Sequence, residues 1–382
     1  MQILVINSGS SSIKASLFEN KKGKLVELWN TLIEGINLPK SKIKNHEEGV
    51  QFLVKNLLES GIIQDLTEIT TVAHRVVHGG EKYNQAVKID NKVLKDIKEL
   101  CKLAPLHNPA NLQGIIATKK LLPKAKQVAV FDTAFYQTLE PKAYLYGLPL
   151  EFYKKHKIRK YGFHGTSHKY ITSRLIKFSK KNSKIVSCHL GNGSSITASI
   201  NGKAIETSMG FTPLEGLIMG TRCGTIDPAI PLQLQQILKK SVSEIEHILN
   251  FKSGLLGLSQ TSSDLRLIYQ KSLKGDKQCQ LTMEILSYQI AKIIGSYAAA
   301  MNGVDSIIFT GGIGERAFYI RSNAIKYLEY LGFKMDEAKN KKAVKESQEV
   351  IEISKKNSTK KIFVIGTNEA LQIANEAIAG LF

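Results

Sequence analysis

Arg75, Asp132, His164, Arg222 and Glu369 stand at the ends of apolar runs or inside glycine-rich loops, where a side chain can reach a ligand. A guanidinium on such a loop suits planar, two-point recognition of carboxylate or phosphate, with a structural salt bridge as the alternative. Arg75, in TVAHRVVHGG (71–80), is expected to follow a strand, and Arg222 lies in MGTRCGTIDP (219–228). His164, in YGFHGTSHKY (161–170), could hydrogen-bond transferring oxygens or cap its own helix. Asp132 closes VAVFD and Glu369 sits in IGTNEA. Both carboxylates suit Mg²⁺ in an ATP-using enzyme, and Glu369 suits a helix N-cap equally well.

Small-residue turns accompany these groups. VINSGSSSIKASLF (5–18) offers Asn7, Ser10, Ser12 and Lys14 at a strand end, as turn residues or as phosphate ligands. HLGNGSS (189–195) places His189 before two glycines, and residues 9–17, GSSSIKASL, align without a gap on 192–200, NGSSITASI. Two such copies point to two related domains, each with a turn at the same topological place, whose backbone N–H groups can approach a polyphosphate. A third glycine turn, TGGIGER (310–316), lies between a strand and a helix, where exposed N–H groups favour anions. It lacks the glycine spacing of a dinucleotide site, and the Walker pattern is absent from the chain.

The elements that must hold these residues alternate between strand and helix, which favours an α/β protein. The segment 103–122 reads as a proline-broken loop and a helix, with Asn108 as N-cap and Pro109 first in the helix. A helix capped by Thr166 or Ser167 follows His164, and a hairpin closes at Asn201-Gly202. Residues 207–228 form a long loop, a helix runs over about 281–300, and strand–turn–helix units occupy 304–317 and 361–378.

A chain of 382 residues is long enough for two domains, and 43% hydrophobic with 23% charged residues describes a globular protein. No run approaches the length of a membrane helix, and the N-terminus does not read as a secretion signal. The four scattered cysteines fit free thiols in a reducing cytoplasm. The net charge of +20 comes from lysines spread along the whole chain, which fits anionic small molecules rather than nucleic acid or membrane.

The motifs NSGSSSIK, HRVVHGGE, APLHNP, FDTAF, YGFHGTSHKY, CHLGNGSS, TSMGFTPLEG, MGTRCGTIDP, GGIGE and TNEA, in this order, resemble the acetate kinase family across nearly the whole chain. The resemblance implies two duplicated domains of the actin, Hsp70 and sugar-kinase type, ribonuclease H-like, with a central cleft. The N-terminal domain would comprise 1–136 plus 369–382, and the nucleotide-binding domain 137–368. It implies a cytoplasmic homodimer that makes acetyl phosphate and ADP reversibly from acetate and ATP with Mg²⁺, or Mn²⁺ in its place.

Residue by residue, the resemblance implies that Asn7 and Glu369 hold the metal and that Lys14 serves the nucleotide phosphates. Arg75 and Arg222 would grip acetate and the transferring phosphoryl, His164 would stabilise the transition state, and Asp132 matches an essential aspartate. His189, Leu190, Gly191, Asn192 and Gly193, with Gly312, Ile313, Gly314, Glu315 and Arg316, would line the nucleotide. Asp264, Leu265 and Arg266 would lie near the adenosine, and Val77, Leu106, Phe163 and Pro213 around the acetate methyl. The chain departs from the family at Arg316, where asparagine is common, at Tyr136, where histidine is frequent, and in a shorter N-terminal half.

Acetate is ionised at neutral pH, so direct in-line transfer needs no general base, only charge neutralisation and positioning. Asp132 is then expected to orient Mg²⁺ or Arg222. The rival readings are a propionate or butyrate kinase and a non-catalytic nucleotide-binding module.

Overall fold

A computed structural model describes residues 1–38, 41–179, 183–343 and 349–381. The chain divides into two compact units. One comprises Met1–Gln137, Gly165–Ser167 and Asn368–Phe382, the other Thr138–His164 and His168–Thr367.

The first unit is built on β1 (Gln2–Ser8), β2 (Ser12–Lys21), β3 (Lys24–Glu34), β4 (Ile69–Val76), β5 (Val87–Lys88) and β6 (Lys126–Phe131), in the order β3-β2-β1-β4-β6-β5. Strand β1 is apolar on both faces, as a strand covered on both sides must be. Leu4 and Ile6 pack with Val50, Leu53 and Leu57 of the helix His46–Glu59. Ile3 and Val5 pack with Ile373, Ala374 and Ala377 of the helix Glu369–Ala379. The C-terminal helix thus completes the core of the unit that opens the chain.

The second unit is built on β7 (Lys184–Leu190), β8 (Ser194–Ile200), β9 (Lys203–Thr207), β10 (Ser306–Thr310), β11 (Val350–Glu352) and β12 (Lys361–Ile365), in the order β11-β12-β10-β7-β8-β9. Read from its other edge, this is the first sheet again, strand for strand. The directions match too: two antiparallel pairs, two parallel pairs and a final antiparallel one in each sheet. Its core gathers Val186, Cys188, Ile196, Ile307 and Phe309 against Leu286, Ile290 and Ile294 of the helix Lys277–Ala300.

The aligned segments 9–17 and 192–200 lead into β2 and β8, which hold the same place in the two sheets. The turns before them differ. Ile13 pairs with Ser8, whereas its counterpart Ile196 pairs with Cys188. The second hairpin pairs on to Leu190 with Ser194, so its turn is the three residues Gly191, Asn192 and Gly193, against the four from Gly9 to Ser12 in the first.

Local expectations needed three corrections. The helix Asn108–Leu121 is capped at His107, so Asn108 and Pro109 are its first two residues. The helix Gly165–Ser179 starts before Thr166 and Ser167, so neither caps it. The long helix begins at Lys277, because Asp276 accepts the Cys279 N–H and starts it early. The Asn201-Gly202 hairpin forms with both residues at positive φ, as its turn type requires.

Candidate active site

In the first unit the polar groups converge at the ends of β1, β4 and β6. Arg75 lies inside β4, one residue before its end, rather than after the strand. Its guanidinium grips Asp132, which directly follows β6: Nε donates to both carboxylate oxygens at 3.2 and 3.1 Å, and Nη2 to Oδ2 at 2.5 Å. Nη1 donates to Asn7 Oδ1 at 3.2 Å. Burial disfavours the Arg75 cation, but the charges of Asp132 and Glu369 and the hydrogen bonds to Asp132 overcome that cost, leaving its pKa above that of an ordinary arginine. Asp132 is fully buried, and Thr166 Oγ1 donates to its Oδ1 at 2.9 Å. Within its own unit the carboxylate is thus held by Arg75 and Thr166.

Lys14 is the register partner of Asn7 across β1 and β2. It is exposed, and its ammonium has no ion pair among the described residues. Glu369 opens the C-terminal helix, but the cap is Asn368, whose side chain accepts the Leu371 N–H. The Glu369 carboxylate is left without a hydrogen bond among the described residues, with its charge reaching Arg75.

Two asparagines that sequence reasoning missed as site builders fix the chain here. Asn111 accepts the Val77 N–H at 3.0 Å and donates to Ser8 O at 2.6 Å. It thereby bridges the ends of β4 and β1, where the strands run out. Asn108 accepts the His78 N–H and donates to His78 O, both at 3.0 Å. Their spacing, one turn of helix apart in HNPAN, was the available signal. Val77 is buried behind this clamp, whereas Leu106 is 46% exposed.

In the second unit, His164 adopts φ 58°, a left-handed conformation that costs a non-glycine residue of the order of 1–2 kcal/mol. Such strain persists where the surroundings fix it. His164 Nδ1 lies 2.9 Å from Ser195 Oγ, and its ring stacks obliquely on His189 with centroids 4.4 Å apart. Its neighbour Phe163 is buried. Arg222 Nη1 donates to Pro213 O at 3.2 Å, which ties the arginine to its own long loop, and burial lowers its pKa. A Cβ at Gly193 would lie 3.3 Å from His164 Nε2 and 3.4 Å from Arg222 Nη1. Glycine there leaves a small space that the His164 imidazole and the Arg222 guanidinium both border.

The remaining turn residues divide by role. Leu190 ends β7, and the Gly191 N–H donates to Ser194 Oγ at 3.2 Å. Gly220 N donates to Asn192 O at 3.1 Å, joining the turn to the long loop. Gly312 is exposed with open space beside it, Ile313 is partly buried, Gly314 is buried and Arg316 is exposed. Glu315 turns back on its own loop, accepting from Gly311 N at 3.0 Å and from Thr310 Oγ1 and Thr367 N at 3.3 Å. Burial raises its pKa. It braces the turn. Behind it, fully buried Arg321 donates to Gly314 O at 2.7 Å and Glu315 O at 2.8 Å, a support that sequence reasoning did not find. Asp264 caps its helix and holds Arg266 by both oxygens, and Leu265 is buried.

Tyr136 is fully buried, and the four cysteines are free. No described helix is long and apolar enough to cross a membrane.

These turns, arginines and twin sheets define a phosphotransferase of the duplicated actin-like α/β fold. The profile of the acetokinase family matches residues 2–375, and the chain belongs to that family. Acetate kinase of Thermotoga maritima is 49% identical, the match covering 98% of each chain. The crystal structure of Porphyromonas gingivalis acetate kinase superposes with a TM-score of 0.92 at 39% identity, covering 100% of both chains. A propionate kinase from Francisella tularensis superposes at 0.90, with 41% identity over 98% of both.

Proposed function

We propose that this chain is an acetate kinase that transfers the γ-phosphoryl of ATP directly to the acetate carboxylate. The observation that carries this reading is the fixation of its cationic groups. Arg75 is locked on Asp132 and Asn7, and Arg222 is tied to Pro213. A carboxylate oxygen attacks phosphorus as the bond to the β-phosphate oxygen breaks, and ADP leaves. The nucleophile has no proton to lose, so no general base takes part. The barrier is anion meeting anion, which preorganised guanidiniums lower without reorganising at the moment of reaction.

In this reading Arg75 and Arg222 bind acetate and the phosphoryl group, His164 donates to its oxygens, and Lys14 pairs with the nucleotide phosphates. Asp132 keeps Arg75 charged and aimed. The turns at 189–193 and 312–316, with Asp264, Leu265 and Arg266, bind the nucleotide. Val77, Leu106, Phe163 and Pro213 surround the methyl group.

Among the described residues no group of three or more His, Cys, Asp or Glu side chains could form a metal cage. Mg²⁺ needs none, because it takes one or two protein oxygens with water and substrate phosphate. The Asn7 amide oxygen and the unbonded Glu369 carboxylate are donors of that kind, and they would hold Mg²⁺, or Mn²⁺ in its place. Bound there, the ion neutralises phosphate charge.

A homodimer is supported by the helix Ala229–Leu238, which has no buried residue although Leu232 is 61% and Ile237 70% exposed. Four free thiols support a cytoplasmic location. Propionate is the second reading, favoured by the Francisella tularensis neighbour. One methylene discriminates by only about 1–3 kcal/mol.

Hydroxylamine trapping of acyl phosphate tests the function with ATP and acetate, propionate or butyrate in parallel. Acetyl hydroxamate should form fastest. No hydroxamate from any of the acids would leave only a nucleotide-binding module.

A further inference from the structure

Ser195 stands between two histidines. Its Oγ lies 2.8 Å from His168 Nε2 and 2.9 Å from His164 Nδ1, and the residue is fully buried. The far nitrogen of His168, Nδ1, lies 2.7 Å from Ser187 Oγ, and both of those residues are fully buried as well. We propose that Ser187, His168 and Ser195 form a hydrogen-bond relay that fixes the tautomer of His164, placing its proton on Nε2 for donation to the phosphoryl oxygens. The proposal rests on the acetate kinase reading for what His164 donates to.

A hydroxyl has one proton, so Ser195 can donate to only one of its two histidines. The other must then donate to Ser195, and the two rings are coupled in phase. His168 is neutral, because burial and the nearby charge of His189 hold its pKa well below the ordinary value. One of its nitrogens donates and the other accepts. Two phases follow. In one, Ser187 donates to His168 Nδ1, His168 Nε2 donates to Ser195, and Ser195 donates to His164 Nδ1. His164 then carries its proton on Nε2. In the other, every bond is reversed, Ser187 donates to Thr197 O, and His164 carries its proton on Nδ1.

Ser187 Oγ keeps its 2.7 Å contact with His168 Nδ1 in either phase and lies 3.3 Å from Thr197 O, so the surroundings of His164 decide between them, and they favour the first. Nε2 of His164 and Nη1 of Arg222 border the same space at Gly193. An anion drawn there by the arginine needs a donor from the imidazole. A second full positive charge on the ring would sit against the guanidinium, so a neutral ring with Nε2–H meets the need. His189 faces both rings, with centroids 4.4 Å from His164 and 6.2 Å from His168. Ser187, His168 and Ser195 are positioning residues: they act through His164.

Nitrogen-15 NMR of histidine-labelled protein reads the tautomers directly, with signals assigned by His164→Gln and His168→Gln. The wild type should show both rings protonated on Nε2 and bare on Nδ1. Ser195→Ala should release His164 to a mixture of tautomers. The same variant should lower kcat by about 10- to 100-fold, as loss of a histidine's supporting partner does. KM for acetate and for ATP should stay within about twofold, and Ser195→Thr should restore much of kcat. A wild-type His164 protonated on Nδ1 overturns the relay, as does a tautomer unchanged in Ser195→Ala. The wild-type spectrum decides even if the alanine variant fails to fold. Because it needs no turnover, it separates failure of the relay from failure of the function.

Discussion

Arg75 and Asp132 form a charge pair in the first unit with the carboxylate fully buried and the arginine side chain only 17% exposed. Removing one partner of such a pair leaves an uncompensated buried charge, which costs about 3–5 kcal/mol. Asp132→Ala and Arg75→Ala should each lose stability on that scale in urea denaturation. The double variant should lose clearly less than their sum. Strict additivity would show that the pair is not coupled.

Asp132→Asn separates folding from catalysis at the same place. It preserves the shape of the acceptor but removes the charge that holds Arg75. The variant should fold and bind ATP while kcat falls at least about 100-fold. A kcat near wild type would remove Asp132 from the mechanism.

Arg222 should matter to rate far more than to stability, because its anchors are the Pro213 carbonyl and the Met219 sulfur of its own loop. Arg222→Ala should cost about 3–5 kcal/mol of transition-state stabilisation, by analogy with lost arginine fingers. Steady-state kcat/KM for acetate checks it, and near-normal turnover would withdraw the assignment.

Asn111 predicts a structural effect with a functional echo. Asn111→Ala strands the Val77 N–H and the Ser8 carbonyl in a buried place, a cost of about 1–3 kcal/mol. Thermal unfolding should register it, and KM for acetate should rise as Val77 shifts. A variant as stable as the wild type would mean that the strand ends hold without the clamp.

His74 sets an acid limit. Burial lowers its pKa from 6.5 to about 4, against the hydrogen bond its Nε2 donates to Gln127 Oε1, which raises it. The folded value lies below the unfolded one, so the unfolded chain takes the proton first. The contribution is whole above pH 6.5 and is lost as pH falls toward about 4, at most about 1.4 kcal/mol per pH unit. Buried His168 acts in the same direction. Stability measured across that window should fall, and His74→Asn should flatten the slope. An unchanged slope would contradict a neutral His74.

The duplication was legible because the segments entering β2 and β8 kept their serines and apolar residues in register. The glycine turns were legible for the same reason: strand, small residues and helix are local patterns. The pairing of Arg75 with Asp132 was not, since it joins strand ends far apart in sequence. Local rules also misled. Asn108 looked like a cap beside a proline, yet its side chain clamps His78, and Asn368 took the cap that Glu369 was equally fit to take. The relay behind His164 needed the β7–β8 pairing to bring Ser187 and Ser195 under the helix that carries His168. Such a contact cannot be read from spacing alone.

The central claim is that acetate attacks phosphorus directly, with charge held by fixed side chains and no phosphorylated enzyme between. ATP made chiral at the γ-phosphorus by oxygen isotopes tests it in a single turnover. A single in-line displacement predicts acetyl phosphate of inverted configuration at phosphorus, whereas retained configuration would require two displacements and contradict the account.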